Sequence, residues 1–396
     1  MAWSYKKLEE VLVLNRSGYW GDDAATTTRP IPVKVIRNAD ITKDNSIKGS
    51  ISRYFSAKEA TNAELRVGDI AMSSSGDVGK AWLVNEAGYS ASNFIRILRP
   101  ASEMVLPRFL KYVLESADGQ STLASSTAGT TIQNLQKSFY SKLTIPLPPL
   151  SEQQRIVRLL DEAFEGIAIA KANAEKNLQN SRALFESYLQ SVFTKRGDGW
   201  EIKKISEIAT HSLGKMLDKA KNKGEFQPYL RNLNVRWAEI DLSNVLEMRF
   251  LPSDAEKYTV LKGDVLVCEG GYPGRAAIWA NDDPIYFQKA LHRVRFHEKG
   301  RNRWFLYYLI AKDADGTLKS HFNGTGIQHF TGEALARFEV PLPPLREQDE
   351  LLDRLDNLRE TSLELSKAYS AKMTALDNLK AAFLGVAFSG NLLKAA

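Results

Sequence analysis

At 396 residues the chain exceeds one ordinary hydrophobic core and predicts two domains of about 100–200 residues each. Its hydrophobic content of 43% and charged content of 25% are those of a globular protein, and no run of ~18 apolar residues is present to cross a membrane. Cys268 is the only cysteine, which excludes an internal disulfide and a cysteine-based zinc site. The cytoplasm is the expected setting, because Met1–Lys7 lacks the apolar core of a secretion signal. The net charge is +6, yet residues 151–196 carry seven basic and six acidic side chains, and 341–396 carry seven and eight. The positive excess therefore lies in 1–150 and 197–340, which makes those stretches the candidates to face a polyanion.

The chain opens on Trp3-x-x-Lys6-Lys7-Leu8-x-x-Val11 and continues through the scattered cations Arg29, Lys34, Arg37, Lys43 and Lys48. A tight turn at Val67-Gly68-Asp69-Ile70 leads into apolar runs at Asp69–Met72 and Ala81–Val84 that read as strands. Between them, Gly76-Asp77-Val78-Gly79-Lys80 sets a cation beside glycines, a pattern suited to close phosphate approach or to a simple strand connection. It is no nucleotide-binding P-loop, because Ser74 stands where its first glycine should be and Ala81 replaces the hydroxyl. Phe109–Leu114 reads as a helix, and Gly129-Thr130-Thr131-Ile132-Gln133 follows. Thr130 and Gln133 could contact base edges or phosphates, or cap the segment ahead. Ile145-Pro146-Leu147-Pro148-Pro149-Leu150-Ser151-Glu152-Gln153 then ends the mixed region, with Ser151 and Gln154 forming a capping-box pattern.

After a polar hinge at Lys195–Gly199 the order repeats. Trp200-x-x-Lys203-Lys204-Ile205, Lys262-Gly263-Asp264-Val265, Gly271-Tyr272-Pro273-Gly274-Arg275 and Gly324-Thr325-Gly326-Ile327-Gln328 match the first copies. Val340-Pro341-Leu342-Pro343-Pro344-Leu345-Arg346-Glu347-Gln348 closes the series, 195 residues after its twin. Tyr272, Arg275, Thr325 and Gln328 are the second-copy candidates for DNA contact. Arg231, Arg236 and Arg249 join them as cations in a stretch where the copies differ.

Behind each proline motif runs a long amphipathic segment. Ile156, Leu160, Ile167, Leu184 and Tyr188 mark a heptad seam in the first. Leu351, Leu355, Leu358, Leu365, Leu376, Leu379 and Phe383 mark it in the second, with Asn177 and Lys372 as equivalent polar positions. The expected fold is α+β: mixed modules at 1–145 and 197–340, helical spacers at 146–196 and 341–396. Two antiparallel coiled-coil helices would give it approximate twofold symmetry, which suits duplex DNA.

No catalytic constellation emerges. All five histidines lie in the second half, and Asp283-Pro284-Ile285-Tyr286 reads as a turn into a strand rather than a methyltransferase motif.

Taken together, the duplicated motifs and their order resemble the DNA-specificity subunits of type I restriction-modification systems over essentially the whole length. The resemblance implies a non-catalytic subunit whose two target-recognition domains each read one half of a split site in double-stranded DNA. It further implies docking of two methyltransferase subunits and, through them, restriction/translocase subunits. S-adenosylmethionine, ATP and magnesium would be bound by those partners, with no cofactor, metal or membrane contact for this chain.

Overall fold

The computed structural model describes residues 3–42, 46–129, 133–218 and 220–388. It comprises two compact units, Met1–Ala174 with Ala371–Ala396, and Glu175–Ser370.

The first unit begins with β1 (Ser4–Lys7), β2 (Leu12–Ser17), β3 (Ile31–Ile36), β4 (Ile51–Phe55) and helix α1 (Ala57–Ala63). Next come β5 (Ile70–Ser73), β6 (Ala81–Leu83), β7 (Tyr89–Ala91) and β8 (Ile95–Pro100). Helices α2 (Pro107–Glu115) and α3 (Ala117–Ser125) precede β9 (Thr127–Ala128), β10 (Asn134–Leu135), α4 (Ser138–Lys142), β11 (Thr144–Leu147) and the long α5 (Leu150–Thr194), which passes into the second unit after Ala174. An antiparallel sheet in the order β2-β8-β5-β6 forms the centre, and a smaller sheet, β4-β3-β7, lies beside it. Strand β5 explains this layering. Ile70 and Met72 pack with Phe109 and Val113 of α2, while the intervening Ala71 packs with Ile36 and Trp82 under the small sheet. A strand buried on both faces favours apolar residues on both, which is why Ile70, Ala71 and Met72 run without a polar residue between them.

The second unit repeats this plan. It holds β12 (Glu201–Lys204), α6 (Ile205–Ile208), β13 (Ala209–Leu213), β14 (Glu225–Leu230), β15 (Val235–Arg236), β16 (Glu239–Ile240) and β17 (Leu246–Phe250). After α7 (Ala255–Tyr258) come β18 (Thr259–Val260), β19 (Val265–Cys268), β20 (Ala276–Ile278), β21 (Ile285–Phe287) and β22 (Leu291–Phe296). Helices α8 (Arg301–Ala314) and α9 (Gly332–Arg337), strand β23 (Glu339–Leu342) and the long α10 (Leu345–Phe388), whose residues from 371 onward belong to the first unit, follow. Its sheets run β13-β22-β19-β20 and β17-β14-β21-β18. Val265 and Val267 pack toward Trp304 and Phe305, whereas Leu266 and Cys268 pack toward Leu230 and Phe287.

The duplicated motifs are structural first. The opening strand of each module pairs antiparallel with the strand of its own proline motif, Lys6 opposite Ile145 and Lys203 opposite Val340. In the Gly-Asp turns, Asp69 receives a bidentate Arg99 at 2.7 Å and Asp264 a bidentate Arg295 at 2.6–2.7 Å. The glutamine of each proline motif is fully buried. Gln153 accepts from the Leu106 N–H at 2.9 Å and donates to the Met104 and Pro148 carbonyls, and Gln348 accepts from Arg301 at 2.8 Å. A second fastening follows about two turns of helix later. The Tyr112 hydroxyl and Arg108 meet Asp161 of α5, as Tyr307 and Arg303 meet Asp356 of α10.

Helices α5 and α10 contain 45 and 44 residues, each about 65 Å long at ~1.5 Å per residue. Both start at the leucine after Pro-Pro, so Ser151 lies inside the first turn of α5 and not at its cap. Arg346 in its place therefore removes no cap. Their segments run antiparallel within each unit. In the first, Lys171 pairs with Asp377 at 2.8 Å, and Ile156 and Leu160 share a core with Leu384 and Ala387. In the second, Ser362 donates to the Ser181 carbonyl at 3.1 Å, and Leu189 and Val192 share a core with Leu352 and Leu355.

The buried stripe departs from the expected seam in a regular way. Ile156, Leu160, Ile167 and Leu355 are buried, and Tyr188, Leu351, Leu358, Leu376 and Phe383 are half-buried. Leu184, Leu365 and Leu379, by contrast, are exposed, as are Asn177 and Lys372. In α5 the stripe continues through Ala174, Leu178, Ser181, Phe185 and Val192. That is the 3.6-residue period of a straight helix, and a 3.5-residue count falls one residue short over this length. In α10 every second inward position is Leu352, Arg359, Ser366, Met373 or Lys380, one residue past the seam position expected there. Counting leucines missed Lys380 because its stem covers apolar surface: its ammonium lies 5.1 Å from the Phe164 ring centre and 3.5 Å from Glu115.

Candidate nucleic-acid interface

In each module the loops that carry the predicted contacts converge at one end of the central sheet. In the first, the Ser74 N–H donates to the Phe94 carbonyl at 2.9 Å and the Gly76 N–H to the Gln133 carbonyl at 2.8 Å. The Asn38 amide donates to the Ser75 carbonyl between them. The Gly76–Lys80 loop, the β7–β8 turn and the β9–β10 hairpin are thereby tied together. Thr130 and Lys43 lie outside the described residues, while Gln133 is exposed.

The second module builds the same junction. The Glu269 N–H donates to the Ala290 carbonyl at 2.9 Å, and the Phe330 N–H to the Glu269 carbonyl at 2.8 Å. The Asn232 amide donates to the Gly270 carbonyl at 3.2 Å, in the role Asn38 has in the first copy. Gly271 has φ +78° there, and a Cβ would come within 2.5 Å of the Asn232 amide nitrogen. A glycine is needed at that position for both reasons. Tyr272, Thr325 and Gln328 are exposed around this junction.

The predicted cations are more occupied than their sequence suggests. Lys80 pairs with Asp77 at 2.7 Å. Arg275 donates to the Asn232 carbonyl at 2.9 Å and lies 5.3 Å from the Tyr272 ring centre. Arg37 makes a bidentate pair with Asp40, and Arg231 donates to the Asn244 carbonyl at 3.0 Å. Arg249 is bound to the Gly224 carbonyl, and Arg29 bridges Asp22 and Glu59. Arg236 is exposed. Most of these cations thus hold loops in place, leaving a surface whose shape is set before any ligand arrives.

Burial raises the Asp40 carboxyl, but the Arg37 hydrogen bonds and charge outweigh it and hold the acid below its usual range. Burial pushes the Cys268 thiol up to about 11, so it is an inert core group. His292, also buried, is pushed down to about 4, against the opposing effect of its hydrogen bond to the Phe330 carbonyl at 3.0 Å.

Sequence comparison at constant displacement misses the asparagine lock. Arg37-Asn38-Ala39-Asp40-Ile41 and Arg231-Asn232-Leu233-Asn234-Val235 stand 194 residues apart, not 195. The local signal is clear once that shift is allowed, because Asp40 and Asn234 each accept the N–H of their arginine at 2.9 Å.

A family model described as the type I restriction modification DNA specificity domain matches twice, over residues 2–180 and 197–374. The chain belongs to this family. The type I restriction enzyme EcoKI specificity subunit of Escherichia coli (strain K12) is 24% identical over 318 residues, covering 76% of this chain and 68% of the relative. The MjaVIII specificity subunit of Methanocaldococcus jannaschii is 27% identical over 327 residues, covering 76% and 75%. Among solved structures, a chain from a study of complex assembly and conformational transition in a type I R-M system matches with TM-score 0.78. It is 20% identical, covering 99% of this chain and 98% of that one. The HsdS subunit from Thermoanaerobacter tengcongensis matches with TM-score 0.63 at 20% identity, covering 99% and 97%. At such identity these structures speak for the fold, and each matched specificity domain spans one module and runs on into the long helix behind it.

Proposed function

We propose that this specificity chain reads a split target in double-stranded DNA, one half-site per module, while α5 and α10 set the unread interval. The carrying observation is the duplicated loop junction, locked by Asn38 in one module and Asn232 in the other. Equivalent frames present different exposed residues, which is what two unlike half-sites require. In this reading the chain seats two methyltransferase subunits, through which restriction/translocase subunits join. S-adenosylmethionine, ATP and magnesium act on those partners, and this chain contributes recognition rather than chemistry. Its expected place is the cytoplasm beside host DNA, and no described helix is long and apolar enough to cross a membrane.

The test is exchange of residues 1–140 for those of another family member, followed by mapping of methylated sites. One half-site should change and the other persist. A change in both halves, or in neither, overturns the assignment of one half to each module.

A further inference from the structure

The loop junction of the second module carries an apolar side chain with no protein surface to cover it. Ile327 is 77% exposed, the highest value among the described large hydrophobics. A lone exposed isoleucine is ordinary; its setting is not. It stands at the tip of a short hairpin closed by reciprocal backbone hydrogen bonds between Asn323 and His329, both 2.8 Å. The Asn323 amide also binds the Thr331 hydroxyl at 3.1 Å, and the fully buried Phe330 anchors the base. Gly324, at φ +113°, admits no side chain, because a Cβ would meet the Ile327 carbonyl oxygen at 2.3 Å. The base of the hairpin is therefore fixed beside Glu269 and Gly270, and its apolar point is flanked by exposed Thr325 and Gln328.

The same Gly-Thr-x-Ile-Gln order closes the first module at Gly129–Gln133, of which residues 130–132 lie outside the described residues. Gln133 there is bonded to the equivalent glycine loop. A feature common to two modules cannot encode the difference between two half-sites. The groove that hides base identity is the minor one, where apolar side chains enter between base steps and unstack them.

We propose that Ile327 is a sequence-independent wedge that enters the minor groove of duplex DNA, with Thr325 and Gln328 engaging the adjoining sugar-phosphate backbone. This inference rests on the DNA-reading function proposed above. It is tested with the full chain bound to its methyltransferase partner and a fluorescein-labelled duplex of mixed sequence. Ile327→Ala should bind about ten-fold more weakly with an unchanged salt slope, since no phosphate contact is lost. Duplexes carrying 2-aminopurine should show a fluorescence rise with the parent chain that the variant abolishes. Ile327→Leu should retain both properties, which separates loss of the wedge from loss of the fold. Unchanged affinity and fluorescence in Ile327→Ala would overturn the proposal, as would a shallower salt slope. So would loss of methyltransferase binding with DNA binding intact, because the tip would then face protein. If the parent chain itself shows no salt-dependent duplex binding, the DNA reading fails and not merely the wedge.

Discussion

Asn232 fixes both sides of a glycine loop: its amide holds the Gly270 carbonyl, and its own carbonyl receives Arg275. Replacing it by alanine removes the amide's hydrogen bond, worth about 1 kcal/mol, but keeps the backbone carbonyl that receives Arg275, so the loop gains freedom more than the module loses stability. Asn232→Ala should slow methylation of targets by roughly ten-fold through the second half-site, with base changes in the first half-site discriminated as before. Methylation rates on a panel of single-base target variants measure this. His292 gives a pH-dependent counterpart. Its folded value of about 4 lies below the ordinary 6.5 because burial penalises the cation. The unfolded chain therefore takes up a proton first as pH falls. Stability is complete above pH 6.5 and declines toward pH 4, by up to about 3 kcal/mol at 1.36 kcal/mol per unit. Urea midpoints at pH 7.5 and 5 should show this loss in the parent, and His292→Gln should remove that part of it. The asparagine pair was written in the sequence and hidden only by a one-residue slip in displacement. The binding state of Arg275 was not, because its partner Asn232 comes from a segment 43 residues away.

Among the elements, strand and helix identities were legible wherever burial on both faces or a helical period imposed a pattern. Ile70–Ser73 and Ala81–Leu83 fall within a residue of the apolar runs that predict them. The face of a long helix was harder to read. A period of 3.5 and one of 3.6 agree over two or three turns and diverge by a residue over ten, which moves Leu184 outward and Phe185 inward. Removing seven residues from the middle of both α5 and α10 preserves the inward stripe nearly in phase while shortening each helix by about 10 Å. The unread interval of the DNA target should contract by roughly three base pairs, at about 3.4 Å each, with both half-site sequences retained. Methylated-site mapping reads the outcome, and an unchanged interval with altered half-sites would refute the measuring role of the helices.

For the molecule as a whole, the internal repeat predicted two like modules, and the sheets β2-β8-β5-β6 and β13-β22-β19-β20 are indeed strand-for-strand counterparts. What a linear reading obscures is which residues complete each body. Phe109 of the first module packs edge-on against Phe388, at 5.5 Å between ring centres, and Leu384 and Ala387 belong to the same core. The opening 174 residues thus wait for a segment near the far end of the chain. During synthesis on a ribosome, about two hundred intervening residues must emerge before that apolar face can close, and the loop so formed is among the longest the fold requires. The protein that reads first along its gene is the part that matures last, and its α2 surface is the one that a chaperone would find open in the interval.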